Sequence, residues 1–396
     1  MKAALLGSRA TLVAVGLMVA SSSCHDFSKI QFGTPAAGGT DGLGGGPGEG
    51  GGVAGGGGAS GGGGGSPMRA LPPSCAGPTP PLCGAALETC CARGEVIPAL
   101  GSFSRGYDKS GQDTQGGVPV VGWQALNAAP AAVDSFVLDK YEVTVGRFRG
   151  FFEAYDSLLG TVPMDNAGRH PSVPMSGWSK DWTVANNANP GSMYAATQAN
   201  LRVALDGCNG AGAAASITGW LDDVARANDD RPMSCVTWYE AFMFCIWDQG
   251  RLPTETEWNV AAAGGEQYRA YPWDPVDQPG ALTVTPANGN IGPALSFPPM
   301  RVGSFPDGIG RWGHLDLAGN VYEFVRDRAT GVKPASYTAG TSNPIELVGD
   351  FAVIRGGSYV FDLVRARSAY RFAVHDRDDP PARRQLDLGW RCARSP

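Results

Sequence analysis

Between residues 136 and 265 the hydrophobic and polar positions change period several times, and each change marks an element. "FVLDKYEVTVGRFRGFFEAY" (Phe136 to Tyr155) starts as a strand and turns into a helix. Thr144 can cap that helix, and Phe148, Phe151, Phe152 and Tyr155 fall at i, i+3, i+4 and i+7, one buried face. After "PMSCV", Thr237 and Glu240 have the spacing of a capping box, with Ala241, Phe244 and Cys245 on one face and Gly250 as the stop. "RLPTETEW" (Arg251 to Trp258) opens another helix. The Thr254 hydroxyl can accept from the Glu257 N–H while the Glu257 carboxylate reaches back to the Thr254 N–H. Trp258, Ala261 and Ala262 predict one apolar stripe, and Gly264-Gly265 ends the helix. Beyond it "GNVYEFVRD" (Gly319 to Asp327), "FAVIRGGSY" (Phe351 to Tyr359), "ARSAYRFAV" (Ala366 to Val374) and "LGWRCAR" (Leu388 to Arg394) read as short strands around Gly-rich turns. No internal repeat is found.

The N-terminal part follows other rules. Lys2 and Arg9 precede the apolar run "TLVAVGLMVA" (Thr11 to Ala20), which is too short for a stable membrane span, and "SSSC" then ends at Cys24. This predicts an export signal, residues 1–24, with Cys24 as the lipidation site of a cell-envelope lipoprotein, outer-membrane or periplasmic. Ser21 stands where such a site usually has Leu or Val, and the alternative is an ordinary secretory signal cut near Ala20 or Ser23. Residues 25–67 are a linker, Gly-rich from about Gly33, that cannot bury a core; as a flexible coil of roughly 5–6 Å × √n it spans a few tens of Å. Residues 68–95 form a Cys/Pro cap, and the folded domain is expected over 96–396.

Composition narrows the function. A net charge of −6 argues against a nucleic-acid partner on electrostatic grounds. Setting Cys24 aside, eight of the nine cysteines remain, an even number that favours disulfides in an exported chain. The adjacent pair Cys90-Cys91 suits disulfide-rich turns, and the pairing among Cys75, Cys83, Cys90 and Cys91 stays open. No nucleophile elbow or phosphate-binding glycine loop is present.

The order of "LDKYEVTVGRFRGF", "PMSCVTWYEAFMFCIWDQGRLPTETEW", "AYPWD", "VGSFPDGIGRWGHLDLAGNVYEF", "VIRGGSY" and "LGWRCA" resembles the formylglycine-generating enzyme family, also called sulfatase-modifying factors, over about Phe136 to Arg394. The resemblance implies an α+β fold, a variant of the C-type-lectin fold with two main helices, a small antiparallel sheet and much irregular chain. It implies a Cys245–Cys392 disulfide; a second family disulfide has no counterpart, and Cys208 is expected to pair with Cys235. Cysteine-oxidising relatives bind Cu(I) through two thiolates after the GGSY-like turn, the ligands soft copper needs. Here those positions are Phe361 and Ala366, so no copper is expected. Other branches bind iron through histidines, but His25, His170, His314 and His375 lack metal-ligand spacing.

The resemblance further implies calcium, held by the Asp316 and Glu323 carboxylates and the Gly319 and Val321 carbonyls, an all-oxygen set suited to a hard cation. A further family site would use Asn288, with no matching downstream aspartate. Arg355, Arg365, Arg367, Arg371 and Arg391 are expected mostly in internal pairs with carboxylates. The function expected is a non-catalytic binding or structural module for a protein, peptide or glycan, lipid-anchored to a membrane. The alternative is an oxidoreductase that converts a sulfatase cysteine to formylglycine.

Overall fold

The computed structural model describes residues 71–76, 80–107, 114–115, 118–119, 129–159, 163–208, 228–275, 289–292, 298–331, 337, 342–375 and 384–396. The export signal, Cys24, His25, the Gly-rich linker and Asn288 lie outside them. Residues Pro67–Pro396 group into one compact unit. Among the described residues no helix is long and apolar enough to cross a membrane.

Helix α1 (Val145–Leu159) begins where the Arg147 N–H donates to the Thr144 hydroxyl at 3.3 Å. It buries Phe148, Phe151, Phe152 and Tyr155 as the spacing requires. Helices α2 (Lys180–Ala188) and α3 (Gln198–Cys208) have no counterpart in the sequence reading. Their apolar pattern is thin: α3 buries only Leu201 and Leu205, and α2 buries only Asn186. Helices α4 (Trp238–Trp247) and α5 (Glu255–Ala263) both start with complete capping boxes, Thr237 with Glu240 and Thr254 with Glu257. Gly264, at φ 67°, closes α5 in the left-handed conformation that glycine adopts most easily.

Helix α5 departs from expectation in one respect. Every residue from Glu255 to Ala263 is buried, so the helix has no solvent face and no single stripe. Its polar positions must therefore be satisfied inside the protein. Glu257 receives both Arg251 Nη atoms, Nη1 at 2.6 Å, and the Thr254 N–H at 2.9 Å. Burial pushes the Glu257 carboxyl up, but Arg251 and His170 outweigh it and hold it down at about 2.

Besides the short antiparallel pair Thr114–Gln115 and Val118–Pro119, the strands are β1 (Leu82–Cys83), β2 (Glu88–Thr89), β3 (Leu100–Arg105), β4 (Ala129–Val133), β5 (Val137–Leu138), β6 (Tyr322–Ala329), β7 (Phe351–Arg355), β8 (Phe372–His375), β9 (Leu388–Trp390) and β10 (Ala393–Arg394). The main sheet has the order β8-β7-β6-β9. Its β6–β9 pair is parallel, with Trp390 opposite Phe324, and the rest is antiparallel. The strand expected over 366–374 forms only from Phe372, because residues 363–369 are taken up in turns. Strand β10 pairs with β5, so the C-terminus returns to the first strand of the motif region.

Two apolar cores flank this sheet. One joins α1, α4 and β9 through Phe148, Phe151, Phe244 and Trp390. The Phe244 ring centroid lies 5.4 Å from that of Trp390 and 5.6 Å from that of Phe151, edge-on in both cases. The other joins α5 to β6 and β7 through Trp258, Val325 and Val353. The Cys/Pro cap packs onto the domain: Cys83 and Cys90 share a buried cluster with Tyr141, Val302 and Leu315. Disulfides join Cys75 to Cys91, Cys83 to Cys90, Cys208 to Cys235 and Cys245 to Cys392.

Cys245 and Cys392 are 147 residues apart in sequence. In the chain-entropy treatment, closing such a loop stabilises the fold by about 5 kcal/mol, less any strain. Mass spectrometry of non-reduced peptides is expected to recover the linked pair; alkylation of both thiols in the native protein would contradict it. Trp258 is fully buried, with its indole N–H 2.9 Å from Glu323 and the Arg355 guanidinium 5.0 Å from its ring centroid. Trp258→Ala is expected to destabilise the domain by about 3–5 kcal/mol. An unchanged melting temperature would rule out this central role.

Candidate functional site

The 316–323 loop runs from the turn after Gly313 into the first two residues of β6, Tyr322 and Glu323. Asp316 and Asn320 have φ of 59° and 58°, left-handed positions that Asp and Asn tolerate better than most residues. Gly319 has φ 86°, and a Cβ there would lie 2.7 Å from the Asn290 carbonyl oxygen, so only glycine fits against the 290 segment. The Asp316 carboxylate accepts from the Gly303 N–H at 2.6 Å. Glu323 accepts from Arg391 Nε at 2.8 Å and Nη2 at 2.6 Å, besides the Trp258 indole. Its carboxylate is therefore largely occupied by protein donors.

A third carboxylate belongs to the same buried region. Glu142, just before α1, accepts from the Val321 N–H at 3.1 Å and from Asn320 Nδ2 at 2.6 Å. Burial pushes its carboxyl well up, and Asp316 and Glu323 push it further. Burial likewise lifts Asp316 to about 6, with Glu323 adding to the effect against the Gly303 N–H and Arg391. Three acids thus share one guanidinium, that of Arg391. Sequence reasoning missed Glu142; it lies inside the quoted "DKYEVT", but nothing in its spacing links it to a loop some 180 residues later. Among the described residues, no three Asp, Glu, His or Cys side chains converge tightly enough to form a metal cluster by themselves. The oxygen set of Asp316, Glu323 and two carbonyls is chemically suited to a hard cation.

The two positions that face thiolate chemistry in the family lie on the turn after β7. Phe361 packs its ring 5.6 Å from that of Tyr322, and the Arg365 guanidinium sits 4.0 Å over it. Ala366 is fully buried among Ala270, Tyr271 and Ala318. Gly357, at φ 69°, brings its backbone against Ala366, where a Cβ would lie 2.8 Å from the Ala366 nitrogen. Next to it, the Ser358 hydroxyl donates to Asp387 at 2.7 Å. The eight described cysteines are all in disulfides.

The remaining candidates are scattered. His170 lies with Nε2 3.5 Å from Glu257, and its Nδ1 accepts from the Ser172 N–H. His314 is fully buried, and burial together with Arg391 pushes its imidazole down to about 3, so it is neutral. His375 ends β8, and its side chain is outside the described residues. Arg355 and Arg371 both reach Glu255, Arg371 through Nε at 2.5 Å and Nη2 at 2.6 Å. Arg391 belongs to Glu323, while Arg365 and Arg367 lie over the rings of Phe361 and Tyr271. These cations are spent on the interior rather than gathered on a surface.

Comparison with known proteins identifies the family of the domain. Residues 88–396 match the sulfatase-modifying factor enzyme 1-like domain. The chain is 25% identical over 317 residues to the formylglycine-generating enzyme of Bos taurus, covering 75% of this chain and 73% of that protein. It is 30% identical over 182 residues to the inactive C-alpha-formylglycine-generating enzyme 2 of Mus musculus, covering 43% of this chain and 51% of that protein. It is 32% identical over 181 residues to the hercynine oxygenase of Mycobacterium tuberculosis, covering 44% of this chain and 39% of that protein. The chain thus spans about half or less of the length of the latter two. Among solved structures, PvdO from Pseudomonas aeruginosa superposes with a TM-score of 0.45 at 19% identity, over 78% of this chain and 100% of that one. With the family matched across 88–396, this chain belongs to the sulfatase-modifying factor (formylglycine-generating enzyme-like) family.

Proposed function

We propose that this chain is a non-catalytic member of its family, a binding or structural module carried on an exported, lipid-anchored protein of the cell envelope. The observation that carries the reading is the pair Phe361 and Ala366. A ring stacked under Arg365 and a fully buried methyl group stand where copper would need two thiolates. The described cysteines are committed to disulfides and leave no substitute thiol among them. Relatives of both kinds exist, one named as an enzyme and one as inactive, so membership of the family does not decide the matter. The ligand in this reading is a protein, peptide or glycan held by loops on a rigid base. The competing reading is an oxidase that turns a sulfatase cysteine into formylglycine.

Thiol titration and Cu(I) binding on the purified chain separate the two. The expected outcome is no stoichiometric copper and no pair of reactive thiols under native conditions. Two reactive thiols with one bound Cu(I) would restore the enzymatic reading.

Calcium at the 316–323 loop is part of the same proposal. What supports it is the charge imbalance of Glu142, Asp316 and Glu323 around one arginine. Asp316, Glu323 and the carbonyls of Gly319 and Val321 would hold the ion, which would supply structural charge compensation. A ligand that binds only the native state raises stability by RT ln(1 + [L]/Kd), about 2.7 kcal/mol at a hundredfold excess over Kd. Thermal melts in Ca²⁺ are therefore expected to exceed those in EDTA, and Asp316→Ala is expected to remove most of the difference. Identical melts of the unmutated protein in both buffers would refute the calcium site.

A further inference from the structure

Glu142 stands outside the oxygen set of the 316–323 loop, yet it holds that loop. It is fully buried and comes from the segment before α1, a part of the chain far from residues 316–323. Its two oxygens have separate tasks: Oε1 accepts from the Val321 N–H at 3.1 Å, and Oε2 accepts from Asn320 Nδ2 at 2.6 Å. Asn320 is tied down at its other polar atoms as well. Its N–H donates to the Asn290 carbonyl at 3.0 Å, its carbonyl accepts from the Tyr359 N–H at 2.9 Å, and its Oδ1 accepts from the Met300 N–H at 2.9 Å. The left-handed conformation of Asn320 is thus fixed from four directions, and of these anchors Glu142 alone brings an ionisable group.

We infer that Glu142 is a positioning residue for a divalent cation at this loop: its carboxylate clamps Asn320 and Val321 and so fixes the flanking peptide units that carry the Gly319 and Val321 carbonyls. This inference rests on the calcium reading above. Both Glu142 oxygens accept from the loop itself, so its contacts in this structure hold the loop's backbone and the Asn320 side chain. The chemistry of the clamp requires an acceptor at both ends. A glutamine has one acceptor and one amide donor, so one of the two loop donors would face another donor. An aspartate keeps the charge but is one methylene shorter and cannot span Val321 N and Asn320 Nδ2 from the same backbone position.

The test is a Ca²⁺ titration of the full chain, followed by thermal shift, for the unmutated protein, Glu142→Gln and Glu142→Asp. Far-UV circular dichroism and the intact Cys245–Cys392 link check that each variant is folded. Both substitutions are expected to weaken the apparent Ca²⁺ affinity at least tenfold, a loss that Asp does not rescue. Full affinity in Glu142→Asp, with loss in Glu142→Gln, would show that only the negative charge matters and would overturn the clamp. Unchanged affinity in both would overturn it equally. Absence of any Ca²⁺ shift in the unmutated protein would overturn the calcium reading itself, a distinct result. Should Glu142→Gln fail to fold, Asn320→Ala removes the other side of the same contact and is expected to lower affinity in the same way; unchanged affinity there would overturn the clamp.

Discussion

Four charged side chains form a closed ring in the interior, and the chain's connectivity depends on it. Arg147 donates to Asp139 at 2.9 Å and to Asp248 at 2.6 Å, while Arg394 donates to Asp139 and, at 2.7 Å, to Asp248. All four are essentially out of water. Burial pushes the Asp139 carboxyl up, but Arg394 and Arg147 outweigh it and hold it below its ordinary value. Because two acids face two guanidiniums, the ring is neutral, which is the condition under which buried charge is tolerated. Removing one member leaves an uncompensated ion inside, typically a loss of 3–5 kcal/mol. Each member comes from a different element: the end of β5, helix α1, the C-cap of α4 and strand β10. Ser74 of the N-terminal cap completes it, donating its N–H to Asp248 at 3.0 Å and accepting from Arg147 Nε at 3.1 Å.

That ring explains what a reader of the sequence can and cannot see. The capping boxes at Thr237 and Thr254, the face of α1 and the glycine stop of α5 rest on contacts three or four residues apart, so they are legible in the letters. The ion pairs are not, because Asp139 and Arg394 are 255 residues apart and nothing local says which acid an arginine will meet. Helices α2 and α3 were missed for a related reason: each buries so few side chains that no amphipathic period emerges. Helix α5 shows the converse. Its glutamates look like ordinary first-turn charges, yet both are buried: Glu257 is matched by Arg251 just before the helix, and Glu255 by Arg355 and Arg371 from far along the chain. In the candidate site, Asp316, Gly319 and Glu323 were legible through an ordered set of motifs, and Glu142 was not, since its role exists only across the fold.

The same logic governs the turn after β7. The backbone there keeps its shape through Gly356 and Gly357, both at positive φ, and through Gly357 lying against Ala366. Side chains at 361 and 366 can therefore change without disturbing the frame, provided they suit the aromatic and alanine surroundings. A frame fixed by backbone glycines and distant ion pairs, with side chains on its turn that answer only to their immediate neighbours, separates stability from chemistry. One scaffold can then carry relatives of different activity.

The place of the last strand has a consequence for the order of assembly. Trp390 fills the core between α1 and α4, Arg391 reaches Glu323, Cys392 is bonded to Cys245, and Arg394 closes the charge ring, all within one five-residue segment. Until that segment docks, both the aromatic core and the ring lack a wall. The domain cannot reach its native state by local growth around α1 alone; it must close over long sequence separations, a slow topology with exposed apolar surface in the interval.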